Sequence, residues 1–327
     1  MKRASFSEDT TRSSNLSRRG FMHRTIAAGA FASLVGNGSQ AQETTGNFQH
    51  DIGFQLYTLR SIMAGGAEKV LSGVAAIGYR EIEVLSVELP GIKFEETVRL
   101  AKNVGLNPVS EHFDAALIVG NAGRAGKAPV TSSLPPGDSW KAAVADAQRL
   151  GIKYMVLPYL LPTQRGGRDF YVSLADKMNK AGEMCREAGI SLCYHNHGFE
   201  FRPTEGVRPI DILLERTNKD LVGLELDVFW VAVAGDDPIS FLKNHAGRIP
   251  LIHLKDLPKG TAQTFDEAAV SRASFKEVGN GILDVPAILR AGEASGARHY
   301  FVEQDYCPGS PVESLRQSYQ YLRKIRI

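Results

Sequence analysis

Four short aliphatic stretches in the second half of the chain each run into residues that can bind a metal ion or move a proton. They are Tyr194-His195-Asn196-His197, Glu225-Leu226-Asp227, His253-Leu254-Lys255-Asp256 and Glu303-Gln304-Asp305. Asp227, His253 and Glu303 stand at equivalent places, each closing a hydrophobic run. Two carboxylates and an imidazole suit Mn²⁺, Mg²⁺, Co²⁺ or Zn²⁺. A thiolate site is excluded, because Cys185, Cys193 and Cys307 show no CxxC spacing and read as small buried apolar residues. Taken singly, a strand-end Asp is more often a helix cap, and a lone His a hydrogen-bonded core residue. Three at equivalent positions beside a His-x-His point to one divalent ion. Alternation along a strand puts His195 and His197 on one face, and Glu200 follows three residues later. An earlier run closes on Glu111-His112, which could supply an acid–base pair or merely cap a loop. Alternation points Glu83, with Glu81, inward on the second run, and the first run carries Gln55 and Tyr57.

The elements that would carry these residues alternate regularly. Strand-like runs occur at 52–59, 81–85, 107–112, 153–158, 190–197, 222–229, 249–255 and 299–305. Amphipathic segments follow at 67–77, 94–104, 140–150, 170–188, 209–217, 238–244, 285–295 and 311–325, several of them ending on Gly. Eight βα units in this length predict an α/β fold of the (β/α)8 TIM-barrel type, whose strand ends converge on one mouth. The competing doubly wound sheet lacks a GxGxxG after the first strand. The stretches 121–137 and 257–280 are expected as long loops at the mouth, where lids and substrate contacts sit.

Four pieces carry a family resemblance: Tyr194-His195-Asn196-His197-Gly198-Phe199-Glu200-Phe201, Leu226-Asp227-Val228-Phe229-Trp230, His253-Leu254-Lys255-Asp256 and Val302-Glu303-Gln304-Asp305. Over essentially the whole chain after its first 41 residues, the sequence resembles the sugar isomerase/epimerase superfamily of xylose-isomerase-like barrels. That resemblance implies one divalent ion held from strands five to eight, with Asp227, His253 and Glu303 as the last three ligands. The first, usually a glutamate, coincides here with His195, leaving His197 and Glu200 as alternatives or as substrate contacts. A second departure is Trp230, which stands where such epimerases often have a substrate-binding His. An indole offers a flat face to a ring, favouring a cyclic substrate if it lines the pocket, and it could equally be core packing.

The implied activity is that of a metal-dependent sugar isomerase or epimerase, abstracting a proton next to a carbonyl through an enediolate. Glu303 or Glu200 is expected as the base, with His197 or His112 as its partner. Substrate contacts are expected from Trp230, Lys255, Glu111 and Gln55. A lyase or hydrolase of 3-keto-glycosides would use the same enolisation. A non-catalytic periplasmic sugar-binding protein is the competing class, and the intact Asp227/His253/Glu303 set argues against it.

Ser17-Arg18-Arg19-Gly20-Phe21-Met22 resembles a twin-arginine export motif, and small residues at 39–41 suit cleavage before Gln42. We therefore expect residues 1–41 to be a signal peptide, residues 42–327 to be one barrel domain, and the location to be periplasmic or secreted. Sugar phosphates are scarce there, so an unphosphorylated carbohydrate is the expected partner. Removing residues 1–41 takes away six Lys/Arg and two Asp/Glu, leaving 32 basic against 34 acidic residues. That balance, with no basic run, excludes nucleic acid as a partner and disfavours a nuclease. No stretch has transmembrane length, and a homo-oligomer is left open.

Overall fold

A computed structural model describes Phe48 and residues 50–86, 92–120 and 136–327. The expected export motif and cleavage site, and nearly all of the 121–137 loop, lie outside the described residues. Eight parallel strands close into a barrel in sequence order: β1 (Ile52–Gln55), β2 (Glu81–Leu85), β3 (Asn107–His112), β4 (Tyr154–Leu157), β5 (Ser191–His195), β6 (Val222–Asp227), β7 (Leu251–Leu254) and β8 (His299–Val302). β1 pairs with β8 to complete the ring. Helices lie between the strands: α1 (Ala67–Ile77), α2 (Phe94–Asn103), α3 (Ala116–Val119), α4 (Pro136–Leu150), α5 (Arg168–Glu187), α6 (Pro209–Arg216), α7 (Val228–Val233), α8 (Pro238–Asn244) and α9 (Val285–Ser295). α10 (Pro311–Leu322) follows β8. Among the described residues no helix is long and apolar enough to cross a membrane.

The strands stop earlier than the sequence predicts, and side chains of the site explain why. Gln55 Oε1 accepts from Tyr57 N at 3.0 Å and turns the chain into a 3-10 helix over Leu56–Leu59. Asp227 Oδ1 accepts from Phe229 N at 2.9 Å and Trp230 N at 3.1 Å, which starts α7 where the sequence reads as continuing strand. Each is an N-cap that satisfies orphan amides at a helix start.

Below the mouth the lumen is packed by Val109, Tyr154, Val156, Cys193, Leu251 and Phe301. Gly53 makes room for the Phe301 ring, since a Cβ there would sit 2.5 Å from its Cδ1. A bulge in β3 completes the floor. Ile82 pairs with Pro108 and Glu83 with Ser110, so Val109 is the extra residue. Val109 thereby joins the lumen core, while Ser110 and His112 face the site above it. Cys185 and Cys193 are buried and free as expected, whereas free Cys307 is only half-buried.

Candidate metal centre

Polar side chains stack above this plug in two levels. In the lower one, Glu83 and Glu225, both fully buried, face three imidazoles. His112 Nε2 lies 2.8 Å from Glu83 Oε1 and 2.8 Å from Glu225 Oε2. His253 Nε2 is 2.6 Å from Glu83 Oε1, and His195 Nδ1 is 3.0 Å from Glu225 Oε2. Gln55 Nε2 donates to Glu83 Oε1 at 2.7 Å, and Ser110 Oγ donates to its Oε2. Burial alone would depress the His112 pKa, but the two carboxylates outweigh it and raise the group to about 9. The same balance raises His253 well above its usual value. Two carboxylates thus face two imidazoles whose charged forms they favour, and the lower level is close to balanced in charge.

The upper level is not. Lys255 Nζ lies 2.6 Å from Glu303 Oε2, 2.7 Å from Asp305 Oδ2 and 3.0 Å from Asp227 Oδ2, so one ammonium serves three carboxylates. Burial works against the Lys255 charge, yet these neighbours hold its pKa well above normal. The ammonium stands close to Asp227 Oδ2 but at an angle that makes no hydrogen bond, so that buried oxygen has an ion pair and no hydrogen bond. Burial raises Asp227 to about 6 and Asp305 above its ordinary value, despite Lys255.

The residues present fit a divalent cation at this level. His195, Asp227, His253 and Glu303 each offer one ligand atom, all within 4.8 Å of one another. The two surplus negative charges, the orphaned Asp227 Oδ2, and a donor set of two imidazoles and two carboxylates match Zn²⁺, Mn²⁺ or Co²⁺ chemistry. The lower set of His112, His195, Glu225 and His253 also lies within 4.8 Å. Its atoms, however, already neutralise and bond one another. Both sets draw on opposite nitrogens of the same two imidazoles, so filling both would require two imidazolates.

A cavity of about 830 Å³ opens above, within the roughly 300–1,000 Å³ usual for small-molecule sites. His112, His195, His197 and Glu303 line its floor, and Trp230, Tyr159 and Phe275 line its walls. Trp230 Nε1 and His197 Nδ1 are buried and without partners. Burial, reinforced by the Lys255 ammonium, pulls the His197 pKa well below normal. Phe275 comes from the long loop after β7, stacked 4.6 Å from Phe229. Asp256 shapes that loop by accepting from the amides of Leu257, Gly279, Gly281 and Leu283 at 2.9–3.1 Å. Across the mouth, Arg165 Nη2 bonds Glu267 Oε1 at 3.0 Å and ties the β4 loop to the β7 loop.

Several expected contacts are placed elsewhere. Glu200 does not line the cavity; its carboxylate accepts from Tyr194 OH at 2.7 Å and His197 N at 2.8 Å, clamping the turn after β5. Burial raises it to about 8. Glu111 lies on the outer face of β3, in the field of Asp146 on α4. Gln55 is committed to Glu83 and Tyr57, and Lys255 to its three carboxylates. Trp230 alone of the four expected substrate contacts faces the cavity. Sequence reasoning gave no role to Ser110 or to the Glu83–Glu225 pair. The alternation in Glu81-Ile82-Glu83 and Glu225-Leu226-Asp227 was the available signal, because it puts two inward carboxylates on one strand.

The chain is similar to known proteins in sequence and in fold. A family model described as xylose isomerase-like TIM barrel matches residues 71–325. An inosose dehydratase from Geobacillus thermodenitrificans is 32% identical over 161 residues, which is 46% of this chain and 53% of that protein. One from Clostridium perfringens is 28% identical over 162 residues, 46% of this chain and 54% of its own. The chain thus spans about half the length of the curated relatives it matches. A sugar phosphate isomerase/epimerase from Parabacteroides distasonis superposes with a TM-score of 0.68 at 24% identity, covering 85% of this chain and 99% of that one. The IOLI protein with a bound zinc atom superposes with a TM-score of 0.62 at 17% identity, covering 83% and 96%. At these identities the superpositions show the shared fold alone.

Proposed function

The chain belongs to the xylose isomerase-like TIM barrel family, and from that premise we propose that it is a metal-dependent enzyme that enolises a cyclic keto-sugar and eliminates its β-oxygen substituent. The observation that carries this reading is the charge surplus of the upper level, open to an aromatic-walled cavity through His195 and Glu303. His195, Asp227, His253 and Glu303 would hold one divalent ion, which when bound stabilises negative charge developing on a carbonyl oxygen, worth several kcal/mol.

The chain's own groups supply the proton transfers. His197 is the base of this scheme: lining the cavity on a ring kept neutral by burial, it takes the proton from the carbon next to the carbonyl. The C–H electron pair passes into the enolate and then expels the oxygen on the next carbon, breaking that C–O bond. His112, held protonated by Glu83 and Glu225, gives the departing oxygen its proton. Trp230 offers its flat face to the sugar ring.

Two features favour elimination from a ring over isomerisation of an open chain. Trp230 replaces a stronger hydrogen-bonding group with a stacking surface. A second cavity of about 410 Å³ also shares Tyr159, Glu267 and Ala268 with the main one, giving room for a substituent beyond the ring. The name inosose dehydratase on the curated relatives is consistent with loss of water from a ring ketone. Isomerisation or epimerisation remains the second reading, supported by the two imidazoles, which could take a proton and return it. Expected export through residues 1–41 would make the substrate an unphosphorylated sugar.

The test is solvent exchange. Protein loaded with Mn²⁺, Co²⁺, Zn²⁺ or Mg²⁺ is incubated in D₂O with inososes, 3-keto-glycosides and free ketoses, and followed by NMR. A new enone absorbance, with deuterium next to the carbonyl only in recovered substrate, supports elimination; deuterium next to the carbonyl in an isomeric product supports the second reading. Neither exchange nor enone in any class overturns enolisation and favours a sugar-binding role.

A further inference from the structure

The two imidazoles of the upper level are each tied at one nitrogen to a buried carboxylate below. His195 is bonded through Nδ1, 3.0 Å from Glu225 Oε2, and His253 through Nε2, 2.6 Å from Glu83 Oε1. An ionised carboxylate can only accept, so those nitrogens carry the protons. Glu83 is fixed as an acceptor by Gln55 Nε2 and Ser110 Oγ, and Glu225 by His112 Nε2 at 2.8 Å.

The opposite nitrogens, His195 Nε2 and His253 Nδ1, lie 3.7 and 4.0 Å from one atom, Asp227 Oδ2, which accepts no hydrogen bond. His253 Nδ1 also faces Glu303 Oε2 at 3.0 Å, and a cation there would take the place of the shared proton. The imidazoles therefore have to be held in opposite tautomers, Nδ1–H in His195 and Nε2–H in His253, for both lone pairs to point at the same space. A ring free to change tautomer would spend part of its time presenting an N–H to a cation.

We propose that Glu225 and Glu83 are positioning residues that lock these opposite tautomers and so aim both imidazoles of the candidate metal centre at one ion. The assignment rests on the metal-dependent reading above, and the two fail in different measurements. Carboxylates that orient ligand imidazoles typically contribute roughly 10- to 100-fold in metal affinity. Glu225→Gln and Glu83→Gln should therefore weaken Zn²⁺ binding by that factor in chelator competition, with about one ion per chain still taken up at saturation. Glu83→Gln acts on the His253 side, so it keeps the test alive if Glu225→Gln does not fold.

Long-range ¹H–¹⁵N spectra of ¹⁵N-histidine-labelled protein read the tautomers directly, with and without Zn²⁺. We expect Nδ1–H for His195 in the parent protein, and a mixture of tautomers in Glu225→Gln at unchanged melting temperature. Unaltered affinity and tautomer in both variants would overturn the proposal. So would retention of the ion by Asp227→Ala with its complete loss from Glu225→Gln, because Glu225 would then be a ligand of a deeper site. A parent protein with the expected tautomers that binds no Zn²⁺, Mn²⁺, Co²⁺ or Mg²⁺ would instead sink the metal-dependent reading.

Discussion

Glu111 offers a direct test of how the structure divides buried carboxylates between chemistry and architecture. It lies between β3 and the surrounding helices, 2% exposed, with Oε2 lacking any partner. Burial raises its pKa from 4.5 to about 8, and Asp146 adds to the effect. A folded-state pKa above the unfolded one means stability that is full below pH 4.5 and lost as the pH rises through about 8. Between 4.5 and pH 7, at 1.36 kcal/mol per pH unit, the loss is roughly 3 kcal/mol. Glu111→Gln stays neutral throughout, although its amide is still buried without full hydrogen bonding, at about 1–2 kcal/mol. The variant should therefore gain roughly 1–2 kcal/mol over the parent at pH 7 and fall roughly 1–2 kcal/mol below it at pH 4.5. Urea unfolding of both proteins at pH 4.5, 6, 7 and 8 measures this. A stability difference that does not grow with pH refutes the reasoning. Loss of bound ion or of proton exchange in a folded Glu111→Gln protein would return Glu111 to the site.

Other expectations follow from particular contacts. Asp227→Ala and His253→Ala should each take the bound ion from about one per chain to none, read by elemental analysis on protein that still unfolds cooperatively. Trp230→Ala should raise KM for a cyclic substrate by up to about 10-fold, the scale of one lost ring-stacking contact of roughly 0.5–1.5 kcal/mol; an unchanged KM would confine the indole to packing. Gly53→Ala should destabilise by about 1–3 kcal/mol through overpacking against Phe301, checked by thermal melting. Changing Arg18 and Arg19 together to Lys should leave the protein in the cytoplasm with residues 1–41 attached, whereas intact mass of the exported parent should start near Gln42.

The barrel itself was legible because its signal is local. Alternating aliphatic runs, helical periodicity and Gly at helix ends specify eight βα units, and the closed order β1 to β8 follows from short connections. His195, Asp227, His253 and Glu303 were legible for the same reason: strand register alone carries a strand-end residue to the mouth. Strand ends were less legible, because Gln55 and Asp227 act as caps through side-chain geometry that periodicity does not encode.

Sequence by itself thus determined the architecture and brought candidate ligands to the strand ends, with the strand-five donor left open among His195, His197 and Glu200. Only the tertiary structure decided which carboxylates share a level. Glu83 and Glu225 come from strands far apart in sequence and meet across the lumen. The β3 bulge at Val109, invisible to alternation, brings Ser110 onto Glu83. Glu200 and Glu111 are as acidic in the sequence as Glu303, yet one clamps a turn and the other faces the helices. Charge balance depends on distances of a few ångströms between strands, and those exist only once the barrel has closed.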